Sequence, residues 1–176
     1  MYREMSITEF SGDLLNQLNK GAFLIVKSKE KLNIMTISCG SIGFTWMKPT
    51  FTIMVRCSRY TYELMEESEN YTVSFPFSGQ LKNELAVCGT MSGRNIDKIK
   101  ECRFSLKEGN LTNTFILDEC EFHLECKIIY KHLIDKTKLD SKIKENIYAN
   151  EDYHVLYFGE IVRAYMKDDL AEDEVP

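Results

Sequence analysis

Two short blocks gather the groups that handle anionic ligands. The first is Arg56-Cys57-Ser58-Arg59-Tyr60-Thr61. It sets two guanidinium groups and two small hydroxyls where a strand gives way to a helix. A helix start offers unpaired N–H groups and a positive dipole end, which suit a phosphate. Arginine adds bidentate hydrogen bonds to phosphate oxygens. The second block is Gly89-Thr90-Met91-Ser92-Gly93-Arg94-Asn95-Ile96-Asp97-Lys98. It combines two glycines, which let backbone approach a ligand closely, with two hydroxyls and two cations. Taken singly, each block has an ordinary reading: Ser58 as a helix cap with both arginines solvated, and the second stretch as a connection between helices.

Two further stretches have a flatter, less charged character. Leu32-Asn33-Ile34-Met35-Thr36-Ile37-Ser38-Cys39-Gly40-Ser41 is a strand carrying small polar residues and running into a turn. Its Asn33 face offers hydrogen bonds to a polar ring edge; the ordinary reading is a half-buried strand wetted on one side. Trp46, the only tryptophan, follows closely. An indole can stack on a flat cofactor, although a tryptophan is more often part of a core. Asp152-Tyr153-His154-Val155-Leu156-Tyr157-Phe158-Gly159-Glu160 brings a histidine and two aromatics into the last strand.

Other chemistries lack their residues. No G-x-G-x-x-G follows a strand, and neither G-x-x-x-x-G-K-[ST] nor H-E-x-x-H occurs. Three histidines, His123, His132 and His154, leave little for a histidine-rich metal centre. An enzyme with these residues relies on a bound cofactor for its hard chemistry.

The elements that must position these blocks follow from periodicity. Phe10, Leu14 and Leu18 predict an amphipathic helix over residues 6–20, stopped by Gly21. Strands are expected at Ala22–Lys27, Leu32–Ser38, Thr50–Val55, Tyr71–Phe75, Glu121–Tyr130 and Val155–Tyr165. Short helices are expected from Ser58 through Glu67 and from Leu81 to Val87, the latter ended by Gly89. Leu139, Ile143 and Ile147 predict one more over 135–148. Many short strands with scattered helices point to a mainly β fold, a closed or nearly closed barrel. The 176 residues read as one domain, with an N-terminal helical segment up to residue 20 and an acidic tail over 168–176.

A net charge of −5 argues against nucleic acid or an anionic membrane as partner. No apolar run is long enough to span a bilayer, and the N-terminus lacks a secretory pattern, so a cytoplasmic location is expected. The six cysteines include no C-x-x-C, and the ordinary reading is free, mostly buried thiols. Cys120 and Cys126 fit that reading best; Cys88 stands beside the second block.

Taken in order, the blocks resemble one family. N-[IV]-M-T, a K-P turn, R-x-S-R-Y-T-Y-E-L, C-G-T-x-S-G-R-x-x-D-K and Y-H-x-x-Y-F-G-E together are similar to flavin reductases of the flavoredoxin-like type, from Gly21 to about Tyr165. The resemblance implies an FMN-binding split β-barrel, usually a homodimer. It implies an oxidoreductase using NADH or NADPH, or alternatively an electron-transfer flavoprotein serving a protein partner, or a barrel without catalysis. On that likeness Asn33, Met35, Thr36 and Ser38 would line the flavin ring. Arg56, Ser58, Arg59, Tyr60 and Thr61 would hold the phosphate end, met from the other side by Ser92, Gly93, Arg94 and Lys98. His154, the candidate catalytic residue, and Phe158 would face the ring or nicotinamide; Trp46 and His132 are further lining candidates. No metal is implied.

Overall fold

The computed structural model describes residues 2–111 and 113–168, so the acidic tail beyond 168 lies outside the described residues. An antiparallel sheet of eight strands dominates. In chain order the strands are β1 (Tyr2–Glu4), β2 (Ala22–Ser28), β3 (Lys31–Ile37), β4 (Gly40–Thr45), β5 (Lys48–Arg56), β6 (Asn70–Phe75), β9 (Phe122–Leu133) and β10 (His154–Lys167). They pair in the order β3-β2-β6-β9-β10-β5-β4, with β1 added to β10; β7 (Leu106–Glu108) and β8 (Phe115–Leu117) form a separate hairpin. The sheet curls without closing: β3 and β4 are its two edges, joined in sequence by Ser38 and Cys39. Among the described residues five helices decorate it: α1 (Ile7–Lys20), α2 (Tyr60–Glu67), α3 (Lys82–Thr90), α4 (Lys98–Cys102) and α5 (Ser141–Ile147). Among the described residues no helix is long and apolar enough to cross a membrane.

Strand β2 shows why the fold has two cores. Ala22, Leu24 and Val26 enter the main core with Phe51, Phe75 and Phe122, beneath Leu14 and Leu18 of α1. The alternate residues Phe23 and Ile25 face a second core with Ile34, Cys88, Phe104 and Leu117. Side chains alternate across a strand, so an uninterrupted apolar run is what burial on both faces demands. Burying one such Phe or Leu contributes about 1.5–3 kcal/mol. The second core fastens α3 and α4 to β3, and so fixes one side of the site.

The helix ending at Gly21 is as expected: Gly21 has φ 122°, and its N–H donates to the carbonyls of Gln17 and Leu18. The expected stop at Gly89 is not a stop. Helix α3 continues to Thr90, with Gly89 lying beside Thr36; an added Cβ would stand 3.4 Å from the threonine Cβ, an ordinary contact distance. The helix over 135–148 shrinks to α5, which begins after Asp140, whose carboxylate accepts from the N–H groups of Lys142 and Ile143. Helix α2 starts at Tyr60 after Arg59, so Ser58 is not its cap. Strand β4 replaces the expected small-residue turn. It meets β5 through a two-residue turn in which Trp46 and Met47 both have positive φ, between the paired Thr45 and Lys48.

Candidate functional site

Strand β3 forms the floor of two adjoining clefts. The first, of about 160 Å³, is lined by Met35 to Cys39 along the end of β3, by Met54 and Arg56 at the end of β5, by Arg59, and by His154 at the start of β10. The antiparallel pairing of β5 with β10 places His154 directly opposite Arg56. The second, of about 130 Å³, lies between α2 and the segment joining α3 to α4. Its lining includes Asn33, Met35, Tyr60, Cys88, Gly93 and Lys98. Met35 and Arg59 belong to both clefts, so the two make one elongated depression. Neither alone reaches the roughly 300 Å³ at which small-molecule sites begin.

The structure brings the two anion-handling blocks together, although they are far apart in sequence. Ser58, Arg59, Tyr60 and Thr61 face Ser92, Gly93, Arg94 and Lys98 across the second cleft. Helix α2 begins there with no side-chain cap on its first turn, which leaves backbone N–H groups available to an anion. Gly93 has to be glycine: a Cβ there would overlap the Asn33 amide oxygen and press on the Tyr60 ring. Asn33 itself is buried and donates through Nδ2 to Thr61 Oγ1 at 2.8 Å. The resemblance put Asn33 on the flavin-ring wall; the structure puts it in the second cleft, among the residues of the two blocks.

The four cations of the blocks do different things. Lys98 is 5% exposed, and its Nζ donates to the carbonyls of Ile34 and Cys88, each at 2.8 Å. Burial, with the nearby charge of Arg59, lowers its pKa. Arg94 is ion-paired with Glu63, donates to the Ser58 carbonyl at 3.2 Å and lies 5.4 Å from the Tyr60 ring centre. Arg59 makes one long bond, 3.4 Å, to the Gly89 carbonyl. Arg56 turns outward: it donates to the carbonyls of Asp152 at 2.6 Å and Ile147 at 3.0 Å, over the Tyr148 ring. Ser58 also looks that way, with Oγ donating to the Asp152 carboxylate at 2.6 Å. Arg56 and Ser58 therefore secure the segment after α5 as well as lining the clefts. Thr36 is likewise engaged, its hydroxyl donating to the Leu85 carbonyl at 2.6 Å, while Ser38 is exposed.

His154 lines the first cleft. Its Nδ1 is 2.7 Å from the Tyr148 hydroxyl. Burial, then the charge of Arg56, pushes its pKa down to about 4, so the ring is neutral at pH 7. Phe158, Trp46 and His132 are not brought to the clefts of this chain. They gather around Tyr130: Trp46 at 5.8 Å, Phe158 at 5.6 Å and His132 stacked at 6.2 Å. Trp46 is 62% exposed at the tip of the β4–β5 hairpin. Several lining residues carried no signal of their own in the sequence. Ile37, Cys39, Met54 and Met91 are apolar or small, and the Asp152 and Tyr148 contacts depend on a loop folding back onto β5.

The comparisons with known proteins fall on this geometry. The model of the flavin reductase like domain matches residues 16–175. The chain belongs to that family. Among solved structures, this flavin reductase-like chain is similar to the flavoredoxin of Methanosarcina acetivorans, at 26% identity and a TM-score of 0.65, over 84% of this chain and 68% of that one. It shares its fold with an FMN-binding protein of Thermus thermophilus solved with bound p-hydroxybenzaldehyde, at 21% identity and a TM-score of 0.67, over 89% of this chain and 76% of that one. A curated relative, an uncharacterized protein of Archaeoglobus fulgidus, is 28% identical over 107 residues, which are 61% of this chain and 59% of the relative. The chain thus aligns with well under two thirds of that relative's length. The fold is the split-barrel type expected, with the sheet left open rather than closed.

Proposed function

We propose that this chain binds FMN along the two clefts and works as an NAD(P)H-dependent flavin reductase. The observation that carries the reading is the second cleft. There an uncapped helix start, Arg59 and the buried Lys98 converge beside a glycine whose side chain would not fit. That donor set suits a phosphate monoester. The flavin ring then falls to the first cleft, against Met35, Ile37, Met54 and His154. The likeness to the FMN-binding protein of T. thermophilus supports the same cofactor, and the likeness to the M. acetivorans flavoredoxin is in keeping with it.

When bound, FMN supplies hydride chemistry at its N5 atom. The protein's share is to hold and orient. Lys98 ties β3 to α3, so the floor and one wall of the second cleft keep a fixed separation. Neutral His154, aligned by Tyr148, offers a ring nitrogen without adding a charge beside the ring. We further expect a homodimer seated on the exposed group of Phe44, Trp46, Met47 and Tyr130, a larger apolar surface than scattered single residues would make. Six free cysteines fit a cytoplasmic setting.

The visible spectrum of the purified protein with FMN, followed by anaerobic addition of NADH and then NADPH, tests the reading. A retained yellow colour bleached by either nucleotide is expected. Retained colour with no bleaching would replace reductase activity by electron transfer with a protein partner. Failure to retain added FMN would reject the cofactor itself.

A further inference from the structure

Residues 134–153 join β9 to β10, and Tyr148 is the one buried side chain among them, 3% exposed. Helix α5, just before it, buries nothing. The Tyr148 ring is held on two sides. It stacks on Tyr153 with centroids 4.9 Å apart, and the Arg56 guanidinium lies 5.3 Å from its centre. This packing delivers the hydroxyl to one atom, His154 Nδ1, at 2.7 Å. The neighbouring phenol differs: Tyr153 Oη is buried with no partner among the described residues. The loop thus aims one tyrosine hydroxyl and leaves the other idle.

The direction of the Tyr148 bond follows from what each group would lose. The hydroxyl has no other partner among the described residues. A proton on Nδ1 would leave the phenol proton buried without an acceptor, which is costly. With the phenol donating, Nδ1 accepts, and the neutral ring keeps its proton on Nε2. Burial holds both groups in those forms: it raises the phenol pKa, and with the charge of Arg56 it keeps the imidazole neutral. The same bond selects one of two ring orientations, since a half-turn would put the carbon Cδ2 in place of Nδ1. Nε2 has no partner among the described residues and is not one of the sealed, unpaired atoms, and His154 lines the first cleft.

We propose that Tyr148 is a positioning residue that fixes His154, in orientation and tautomer, so that Nε2–H enters the first cleft as a neutral donor for an acceptor atom on the edge of the ring bound there. The cleft suits such an edge: Arg56 and Arg59 line it, and no carboxylate does. The pyrimidine edge of a flavin presents acceptors and becomes more electron-rich on reduction, so a fixed donor favours the reduced over the oxidised form. That consequence rests on the FMN reading above; the fixing of His154 by Tyr148 does not.

NMR of the full chain carrying isotope-labelled histidine, at neutral pH and without FMN, tests the fixing directly; His154→Asn identifies the His154 signals by their loss. Nε2 should carry the proton, and Nδ1 should be unprotonated and hydrogen-bonded. A proton on Nδ1, alone or with Nε2, would overturn the proposal in the wild-type chain, whatever the variants do. Tyr148→Phe keeps the ring that packs on Tyr153 and Arg56 and removes only the hydroxyl. It should move the Nδ1 resonance to that of an unbonded nitrogen. In titrations with oxidised and with dithionite-reduced FMN, it should cut the preference for the reduced form severalfold. Tyr153→Phe, which removes the idle hydroxyl, should change neither. An unmoved Nδ1 resonance in Tyr148→Phe would overturn the bond. A moved resonance with an unchanged preference would overturn the donation to the ring. Equal losses in the two phenylalanine variants would make Tyr148 an anchor of the loop and nothing more. Failure of the wild-type chain to bind FMN in either form would reject the cofactor and the donation to it, with the NMR signals still deciding the fixing of His154.

Discussion

On the β3 side, the candidate site is fastened by two buried groups and one half-buried one. The Lys98 ammonium, the Asn33 amide and the Thr36 hydroxyl each join the strand to a helix behind it or beside it. On the β5–β10 side, the corresponding bonds lie nearer the surface: Arg56 and Ser58 hold residues 147–152 through carbonyls and one carboxylate. A buried donor or acceptor that loses its partner has no water to replace it, while an exposed one does. The inner wall is therefore a scaffold, and the outer wall is a flap secured by replaceable bonds.

Substitutions on the two walls should separate accordingly. Gly93→Ala should have the largest effect, because its methyl group has nowhere to go but into Asn33 and Tyr60. Overpacking of this kind costs about 1–3 kcal/mol, and FMN affinity should fall by more than about tenfold. Urea unfolding and flavin fluorescence titration measure the two. Lys98→Met should come next. It leaves the Ile34 and Cys88 carbonyls without their donor, at a cost of about 2 kcal/mol. Should Lys98→Met prove as mild as a surface change, the inner wall would not be the scaffold described here. Arg56→Ala should cost only about 1 kcal/mol and weaken FMN by less than about tenfold. That loss should still exceed the effect of Arg3→Ala, which lies on β1, outside both clefts. Equal affinities for these two variants would remove Arg56 from the site.

The two walls should also differ in their pH dependence. His154 has its pKa lowered from 6.5 to about 4 by burial, so the folded protein binds fewer protons than the unfolded chain between those values. Its contribution to stability is complete above pH 6.5 and is lost as pH falls toward 4. His123, buried beside Tyr2 and Tyr165 and lowered to about 3, acts in the same direction. Urea midpoints across this range should decline toward acid. The decline should be shallower in His154→Asn; an identical slope would mean that the flap leaves His154 open to water.

Much of this contrast was legible in the sequence, and the reason is local. Gly21 after an apolar 3.6-residue repeat, or alternation in the first half of β9, reflects a face that the residue itself must present to the core. The two phosphate-suited blocks were readable because their residue types are unusual together. What escaped depends on partners distant in the chain. Gly89 lies in the helix beside Thr36, which comes from a strand distant in the chain. Arg56 faces outward because residues 147–152 return to meet it. Strand β4 hides behind two glycines and an exposed Phe44 because it is a sheet edge, with no second neighbour to demand alternation. Trp46, for which a core place is the usual outcome, sits at a hairpin tip.

The unclosed sheet has a mechanical meaning for the first cleft. Its floor belongs to β3, one free edge of the sheet, and its far side to β5 and β10, which stand just inside the other edge, β4; Ser38 and Cys39, both exposed, join the two edges in sequence across the gap. Spreading or narrowing that gap breaks no ladder hydrogen bond, since β3 and β4 share none. What holds the aperture is therefore packing: Met35 and Ile37 of β3 share one buried core with Phe51, Ile53 and Val55 of β5, so the width of the cleft is set by side-chain volume rather than by strand pairing.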